Sequence, residues 1–187
     1  MKELDVQLDD ILTSSDVFGI GETCLEENDK VHFSGYSGVF ENVRNGQGTS
    51  AFIKDGLEFD AQTFSSDKIS AIYLKSDMVD IIFLYISKNY SWNELKPVLN
   101  GWINNKRSVA ILGDVNWQFD TSTTDMGTYL LNELKFRQLI EDPTHDSGHI
   151  IDHIYINEKL WQENPTMAQI SVNYSDHDII QLKIPVL

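Results

Sequence analysis

Two short runs combine acids, an amide and an imidazole in a pattern suited to hard-metal phosphoester chemistry. Val109-Ala-Ile-Leu-Gly-Asp-Val-Asn116 is an apolar strand pattern that delivers a carboxylate and an amide into the turn after it. Tyr174-Ser-Asp-His177 sets a carboxylate beside a histidine just before another apolar run. Such groups supply oxygen ligands for a divalent ion, an amide to hold a nucleophile or oxyanion, and an imidazole for proton transfer. An earlier acid, Glu22, stands where the apolar segment Asp16-Val-Phe-Gly-Ile-Gly21 meets a turn. Singly, Glu22 and the Asp176-His177 pair read equally as solvated surface groups, and Asp-x-Asn as turn chemistry. Their ordered recurrence at strand ends gives the set its weight.

Positioning these groups takes a scaffold of strands. Strand-like segments recur at Gly38 to Val43, Gly48 to Lys54, Ile69 to Leu74 and Val79 to Ile86, with Asn45-Gly46 as a hairpin signal between the first two. Leu4, Leu8, Ile11 and Leu12 at helical spacing predict an amphipathic helix at the start of the chain. Ser91, with Glu94 three residues on, is a capping-box pattern opening a helix that carries Leu95, Val98, Leu99 and Trp102. A second helix is expected from about Asp125 to Leu134, and tail strands at Ile150 to Ile156, about Gln169 to Asn173 and Ile179 to Ile184. Without a repeat or a Pro/Gly/Ser-rich linker, residues 1–187 read as one domain. Many strands with few helices predict an α+β fold, two sheets packed together with helices outside.

Charge limits the choice of substrate. The net charge is −15, from 29 acidic against 14 basic residues, and Lys106-Arg107 is the one adjacent basic pair. Nucleic-acid binders draw most of their non-specific affinity from Lys and Arg on phosphates, so DNA is expected to bind weakly or through a local patch. The single cysteine, Cys24, excludes an intramolecular disulfide. With no basic-then-apolar start and no apolar stretch long enough to span a bilayer, the expectation is an intracellular protein, nuclear or cytoplasmic, off the membrane and without a signal peptide.

The ordered stretches Gly21-Glu-Thr-Cys-Leu25, Phe83-Leu-Tyr85, Ile111-Leu-Gly-Asp-Val-Asn116, Ile151-Asp-His-Ile-Tyr155 and Ser175-Asp-His177 resemble the endonuclease/exonuclease/phosphatase superfamily. These are divalent-metal phosphoesterases that include apurinic endonucleases and DNase I. Phe136-Arg-Gln-Leu-Ile-Glu-Asp-Pro-Thr-His145 followed by Ile151-Asp-His153 is similar to the branch attached to non-LTR retrotransposon reverse transcriptases. The resemblance implies a four-layered α/β/β/α sandwich of two mainly antiparallel sheets, with Mg²⁺ or Mn²⁺ as cofactor. It implies Glu22 as principal metal ligand with Asp176 assisting, and Asp114 positioning or deprotonating the attacking water. Asn116 would hold that water or a phosphate oxygen, His177 would contact the scissile phosphate with Asp152 fixing its ring, and Tyr85 would hydrogen-bond the phosphate or the leaving oxygen.

The family's opening strand, which bears an asparagine of the metal and phosphate site, has no counterpart, because Met1 leads almost directly into the first expected helix. The expected fold is therefore the sandwich N-terminally truncated by one strand. Another segment or chain, a reverse transcriptase domain among the candidates, would supply it, or the site has decayed. Val115 stands where the family favours an aromatic, and Gln47 lies in a usually glycine-rich turn. The expectation is Mg²⁺-dependent phosphodiester hydrolysis, as nicking of DNA by in-line attack of water. The alternatives are a catalytically inactive remnant kept as an interaction domain and a phosphoesterase of small-molecule or lipid substrates. His145, His149 and His153 are spaced like helical zinc ligands, but Pro143, Gly148 and the β-branched run after them argue for loop and strand. Of the tryptophans, Trp102 reads as core and Trp117 as the candidate for lining a substrate cleft.

Overall fold

Alternation of apolar residues along β6 and β7 builds the centre of the molecule. The computed structural model describes residues 11, 13–26, 28–43, 47–118 and 125–185. Its chain order is β1 (Val17–Gly21), β2 (Tyr36–Glu41), β3 (Thr49–Lys54), β4 (Asp60–Ser66), β5 (Ile69–Lys75), β6 (Val79–Ile86), α1 (Trp92–Trp102) and β7 (Ser108–Asp114). After these come α2 (Asp125–Thr128), β8 (Arg137–Gln138), β9 (Asp152–Ile156), α3 (Glu158–Trp161), β10 (Thr166–Ile170) and β11 (Ile179–Lys183). A six-stranded sheet has the order β4-β5-β6-β7-β9-β8. A three-stranded sheet, β1-β3-β2, and the hairpin-like pair β10-β11 form separate sheets among the described residues. All pairings are antiparallel except β6 with β7, which the α1 crossover joins. The fold is α+β, built on two main sheets.

The two faces of the large sheet do different things. Ile82, Leu84, Ile86, Val109, Ile111 and Tyr155 pack with Leu95, Leu99, Trp102, Met126 and Leu130 from the helical side. The alternate residues face the small sheets and fall into two clusters. Ile72 and Leu74, with Ile81 and Phe83 beside them, meet Ala51 and Ile53 of β3. Ala110, Ile154 and Ile156 meet Ile180 and Leu182 of β11. Side chains alternate across a strand, so a run such as Val109-Ala-Ile-Leu112 serves both faces at once.

Most expected elements are present, with informative differences. The polar strand β4 was not foreseen, because it is an edge strand with mostly exposed residues and no apolar run. Ser91 does stand at the N-cap of α1, but its side chain makes no capping bond; its carbonyl accepts from the N–H groups of Glu94 and Leu95 at 3.1 and 3.3 Å. The second expected helix begins as α2 and continues as a π-helical turn, Tyr129–Glu133. The tail strand expected at Gln169 to Asn173 lies earlier, where Thr166 pairs with Lys183 and Ile170 with Ile179. Leu4, Leu8 and Leu12 of the opening helix, and the Asn45-Gly46 turn, lie outside the described residues.

Gly113 closes the parallel pair next to the site. Its φ is +147°, and a Cβ built there would stand 1.8 Å from the Leu84 carbonyl oxygen. Gly113→Ala is expected to cost about 3 kcal/mol in denaturant unfolding. Gly101→Ala, in α1 with open space around it, is expected to stabilise by about 0.5–1 kcal/mol. Equal effects at both positions would contradict this reading of the β6–β7 approach.

Candidate active site

Strand register brings the expected acids together. Asp114, the last residue of β7, is the Cα partner of Asp152, the first residue of β9. The chain then turns at Val115, whose N–H donates to the Ile151 carbonyl at 3.0 Å. Asn116 follows with φ +53° and folds back on Asp114, its backbone N–H donating to Oδ1 at 2.8 Å and its amide to Oδ2 at 3.1 Å. Both oxygens of Asp114 are thereby oriented. Glu22, directly after β1, also has a left-handed φ of +49°. That conformation is uncommon for a glutamate and is found mostly where surrounding structure enforces it.

The histidine arrives from the segment before β11. His177 Nδ1 lies 2.8 Å from Oδ2 of the buried Asp152, leaving Nε2 to face the cleft. Asp152 is held in turn by Thr144, a buried residue whose hydroxyl accepts from the N–H groups of Asp152 at 3.0 Å and Ile151 at 3.2 Å. The Thr144 carbonyl accepts from Asp178 N–H at 2.8 Å, which ties the His177 segment to the same loop. Tyr85, near the end of β6, is buried with Glu22, Asp114 and Asn116 around its hydroxyl. Glu22, Tyr85, Asp114, Asn116, Asp152 and His177 therefore converge.

Asp176 pairs with a histidine. Its carboxylate lies 3.4 Å from His145 Nε2, and the His145 ring meets the His177 ring edge-on at 4.7 Å between centroids. The donor atoms of Asp176 group with those of His145 and His177, all within 4.8 Å of one another. A second group comprises Asp114, Asp152 and His177, whose donor atoms lie within 4.8 Å of one another.

Thr144 and His145 are the residues that sequence reasoning passed over. His145 enters the sequence analysis as the end of the Phe136 to His145 stretch and as one of three histidines at the spacing of a zinc triad, with no role at the site. That triad does not form: His145 and His149 meet at the Ser147 hydroxyl, while His153 is buried on the opposite face of β9 against Tyr155 and Trp117. Trp117 stacks with Tyr90 and packs into the helical side, away from the cleft. The Pro143-Thr-His145 run ahead of Ile151-Asp152 is already part of the resemblance drawn from the sequence; what the sequence did not show is that the loop folds it directly onto the His177 segment.

Electrostatics assigns protonation states. Burial, with the neighbouring Asp152 charge, pushes the Asp114 carboxyl up to about 7. The hydrogen bond to Asp152 raises His177 to about 9, against the opposing effect of burial. Burial and the adjacent carboxylates of Glu22 and Asp114 push Tyr85 up to about 12, so it stays a neutral donor. Crowded carboxylates, one of them retaining its proton near neutrality, are a donor set that fits a hard divalent cation with oxygen ligands. Asp114 and Asp152 lie in one such group with His177, and the charge of Glu22 acts on Asp114.

No family model matches the sequence, and no curated protein matches it. Solved structures do match. An AP endonuclease from Archaeoglobus fulgidus aligns over 97% of this chain and 93% of its own, at 14% identity and a TM-score of 0.65. The endonuclease domain of TRAS1, a telomere-specific non-LTR retrotransposon, aligns over 97% and 91%, at 15% identity and a TM-score of 0.63. An endonuclease/exonuclease/phosphatase family protein from Leptotrichia buccalis aligns over 100% and 94%, at 17% identity and a TM-score of 0.63.

His177 contributes stability that is complete below its ordinary value of 6.5 and lost as pH rises toward about 9. Metal-free wild type is expected to melt progressively lower across that window. Asp152→Asn should flatten most of the slope, as read by thermal unfolding in chelator; an unchanged slope would contradict the His177–Asp152 pairing. Thr144→Val should cost about 1–3 kcal/mol by leaving the buried Asp152 N–H and the part-buried Ile151 N–H without their acceptor, read by denaturant unfolding. The fold that holds this cluster is that of the endonuclease/exonuclease/phosphatase proteins.

Proposed function

We propose that the chain hydrolyses a phosphodiester with a divalent cation, Mg²⁺ or Mn²⁺, and that its substrate is DNA, cut by nicking. The observation that carries this reading is the convergence of Asp114, Asn116, Asp152 and His177 with Glu22 and Tyr85 at one end of a cleft. The fold shared with two endonucleases supports it. A cation held at Glu22, beside Asp114, would supply charge neutralisation at the phosphate oxygens.

The residues divide the remaining work. Asp114, poised near neutrality, accepts the proton of the attacking water while Asn116 keeps the carboxylate aimed. The water oxygen bonds to phosphorus as the bond to the leaving oxygen breaks. His177, with a value near 9, is an imidazolium at neutral pH. It cannot serve as a base there. Its role is to stabilise charge on the phosphorus oxygens and to return a proton. Tyr85 donates to the phosphate or the leaving oxygen.

The acidic surface favours one second reading, a phosphoesterase of small substrates that need no basic footprint. Arg107, half of the one basic pair, is occupied on the buried Asp80 carboxylate at 2.9 Å, away from the cleft. The test is incubation with supercoiled plasmid and Mg²⁺ at low salt. Wild type is expected to nick; Glu22→Gln and His177→Ala should fall by about 10²-fold or more, and Tyr85→Phe by about tenfold. Nicking by the variants at the wild-type rate would overturn the proposal. Intact plasmid with turnover of a small phosphodiester would move the substrate to the second reading.

A further inference from the structure

Nitrogen donors gather where the loop after Pro143 meets the segment that carries His177. His145 and His177 are antiparallel bridge partners, so their side chains stand next to each other. Two backbone bonds flank the pair. Asp146 N–H donates to the Asp176 carbonyl at 2.9 Å, and Asp178 N–H to the Thr144 carbonyl at 2.8 Å. Asp176 sits in a bend, where His177 N–H donates to Ser175 Oγ at 3.0 Å. The bend brings the Asp176 carboxylate round to His145, and the donor atoms of His145, Asp176 and His177 lie within 4.8 Å of one another.

The spacing suits a shared ion better than a hydrogen bond. His145 Nε2 and Asp176 Oδ2 are 3.4 Å apart. A charge-assisted hydrogen bond between such groups closes to about 2.7–2.9 Å. Tetrahedral zinc with bonds of about 2.0–2.1 Å holds its ligand atoms about 3.3–3.4 Å apart. The imidazoles are partly sheltered, their side chains 22% and 27% exposed, whereas Asp176 is 67% exposed. An ion can therefore enter from the carboxylate side and keep water on its open position.

Both rings are supported on the nitrogen that faces away from the gap. His177 Nδ1 is held by Asp152 Oδ2 at 2.8 Å, and His145 Nδ1 faces Ser147 Oγ at 2.7 Å. Metal-bound imidazoles are oriented in this way by a partner on the other ring nitrogen. Without metal, His145 Nδ1 accepts from Ser147 N–H at 3.0 Å, which puts the ring proton on Nε2. An ion at Nε2 reverses the tautomer, and Nδ1–H then donates to Ser147 Oγ. The serine hydroxyl has an acceptor for its own proton in His149 Nδ1, 2.9 Å away.

Donor type separates this group from its neighbour. Asp114, Asp152 and His177 form a group dominated by carboxylates, whereas His145, Asp176 and His177 offer two imidazoles and one carboxylate. Oxygen ligands suit Mg²⁺, and imidazole suits Zn²⁺. His177 belongs to both groups.

We propose that His145, Asp176 and His177 form a zinc site, and that zinc bound there silences the adjoining active site by occupying His177 Nε2. The binding half of this inference stands on the ligand geometry alone; the inhibitory half rests on the phosphodiester reading. In that reading His177 Nε2 carries the proton that is aimed at the phosphorus oxygens. Zinc takes the place of that proton, while Nδ1–H stays on Asp152.

Calorimetric titration of Zn²⁺ into the intact chain, in excess Mg²⁺, reads the binding half. One ion per chain should bind. His145→Ala, His145→Gln and Asp176→Asn should each weaken it by about tenfold or more. His32→Ala, at an exposed histidine elsewhere, should leave it unchanged. Co²⁺ as a spectroscopic probe should give the visible absorption of a four-coordinate ion in wild type and lose it in both His145 variants. Thermal unfolding in chelator shows that the variants are folded. No zinc binding, equal binding by the His145 variants, or displacement of zinc by Mg²⁺ would overturn the site. For the inhibitory half, one equivalent of zinc should slow Mg²⁺-dependent plasmid nicking by about tenfold or more in wild type, and His145→Ala should resist it. Equal inhibition of both proteins would overturn that half. Zinc bound through His145 in a chain that cleaves no phosphodiester would end the phosphodiester reading, and the inhibition with it, while the zinc site stands.

Discussion

Repulsion among carboxylates is the constraint on which the rest of the structure turns. Asp114 and Asp152 face each other across β7 and β9, with Glu22 close enough to raise Asp114 further. Left alone, such a set protonates or spreads apart. Here it is held by the sheet register, by Asn116 clamping Asp114, by Thr144 clamping Asp152, and by the His177 imidazolium. The left-handed backbone at Glu22 and Asn116 fits a site where surrounding structure fixes geometry that the chain alone would avoid.

Much of the β6–β11 half was legible because its chemistry is local. Val109 to Leu112 announces a buried strand, and Asp114-x-Asn116 and Asp176-His177 follow or precede strands that apolar patterning reveals. Tyr85 lies on the strongest strand signal in the chain. What patterning could not supply was partnership. Nothing in the sequence says that Asp176 pairs with His145, since that depends on how the Thr144–Gly148 loop meets the His177 segment. The helical zinc spacing of His145, His149 and His153 was rightly set aside, but His145 was given no role at the site. The edge strand β4 was silent because its residues face solvent and carry no burial pattern.

The split inner core is a consequence of the same topology. The helical face of the large sheet has one continuous cluster, sealed by α1 and α2. Among the described residues the opposite face carries two clusters, with a cleft along the line between β6 and β7 and the carboxylates at one end of it. The packing of the core and the chemistry at its rim are therefore one structural problem.

The most direct measurement is calorimetric titration of Mg²⁺ into the intact chain at pH 7, in buffers of different ionisation heat, beside Glu22→Gln and Asp114→Asn. With Asp114 titrating near 7, cation binding should release protons, and the observed heat should vary with the buffer. Glu22→Gln should weaken binding, and Asp114→Asn should abolish the proton release. Binding that is blind to both substitutions, or no binding at all, would contradict the account of this cluster as a cation-dependent phosphodiester site.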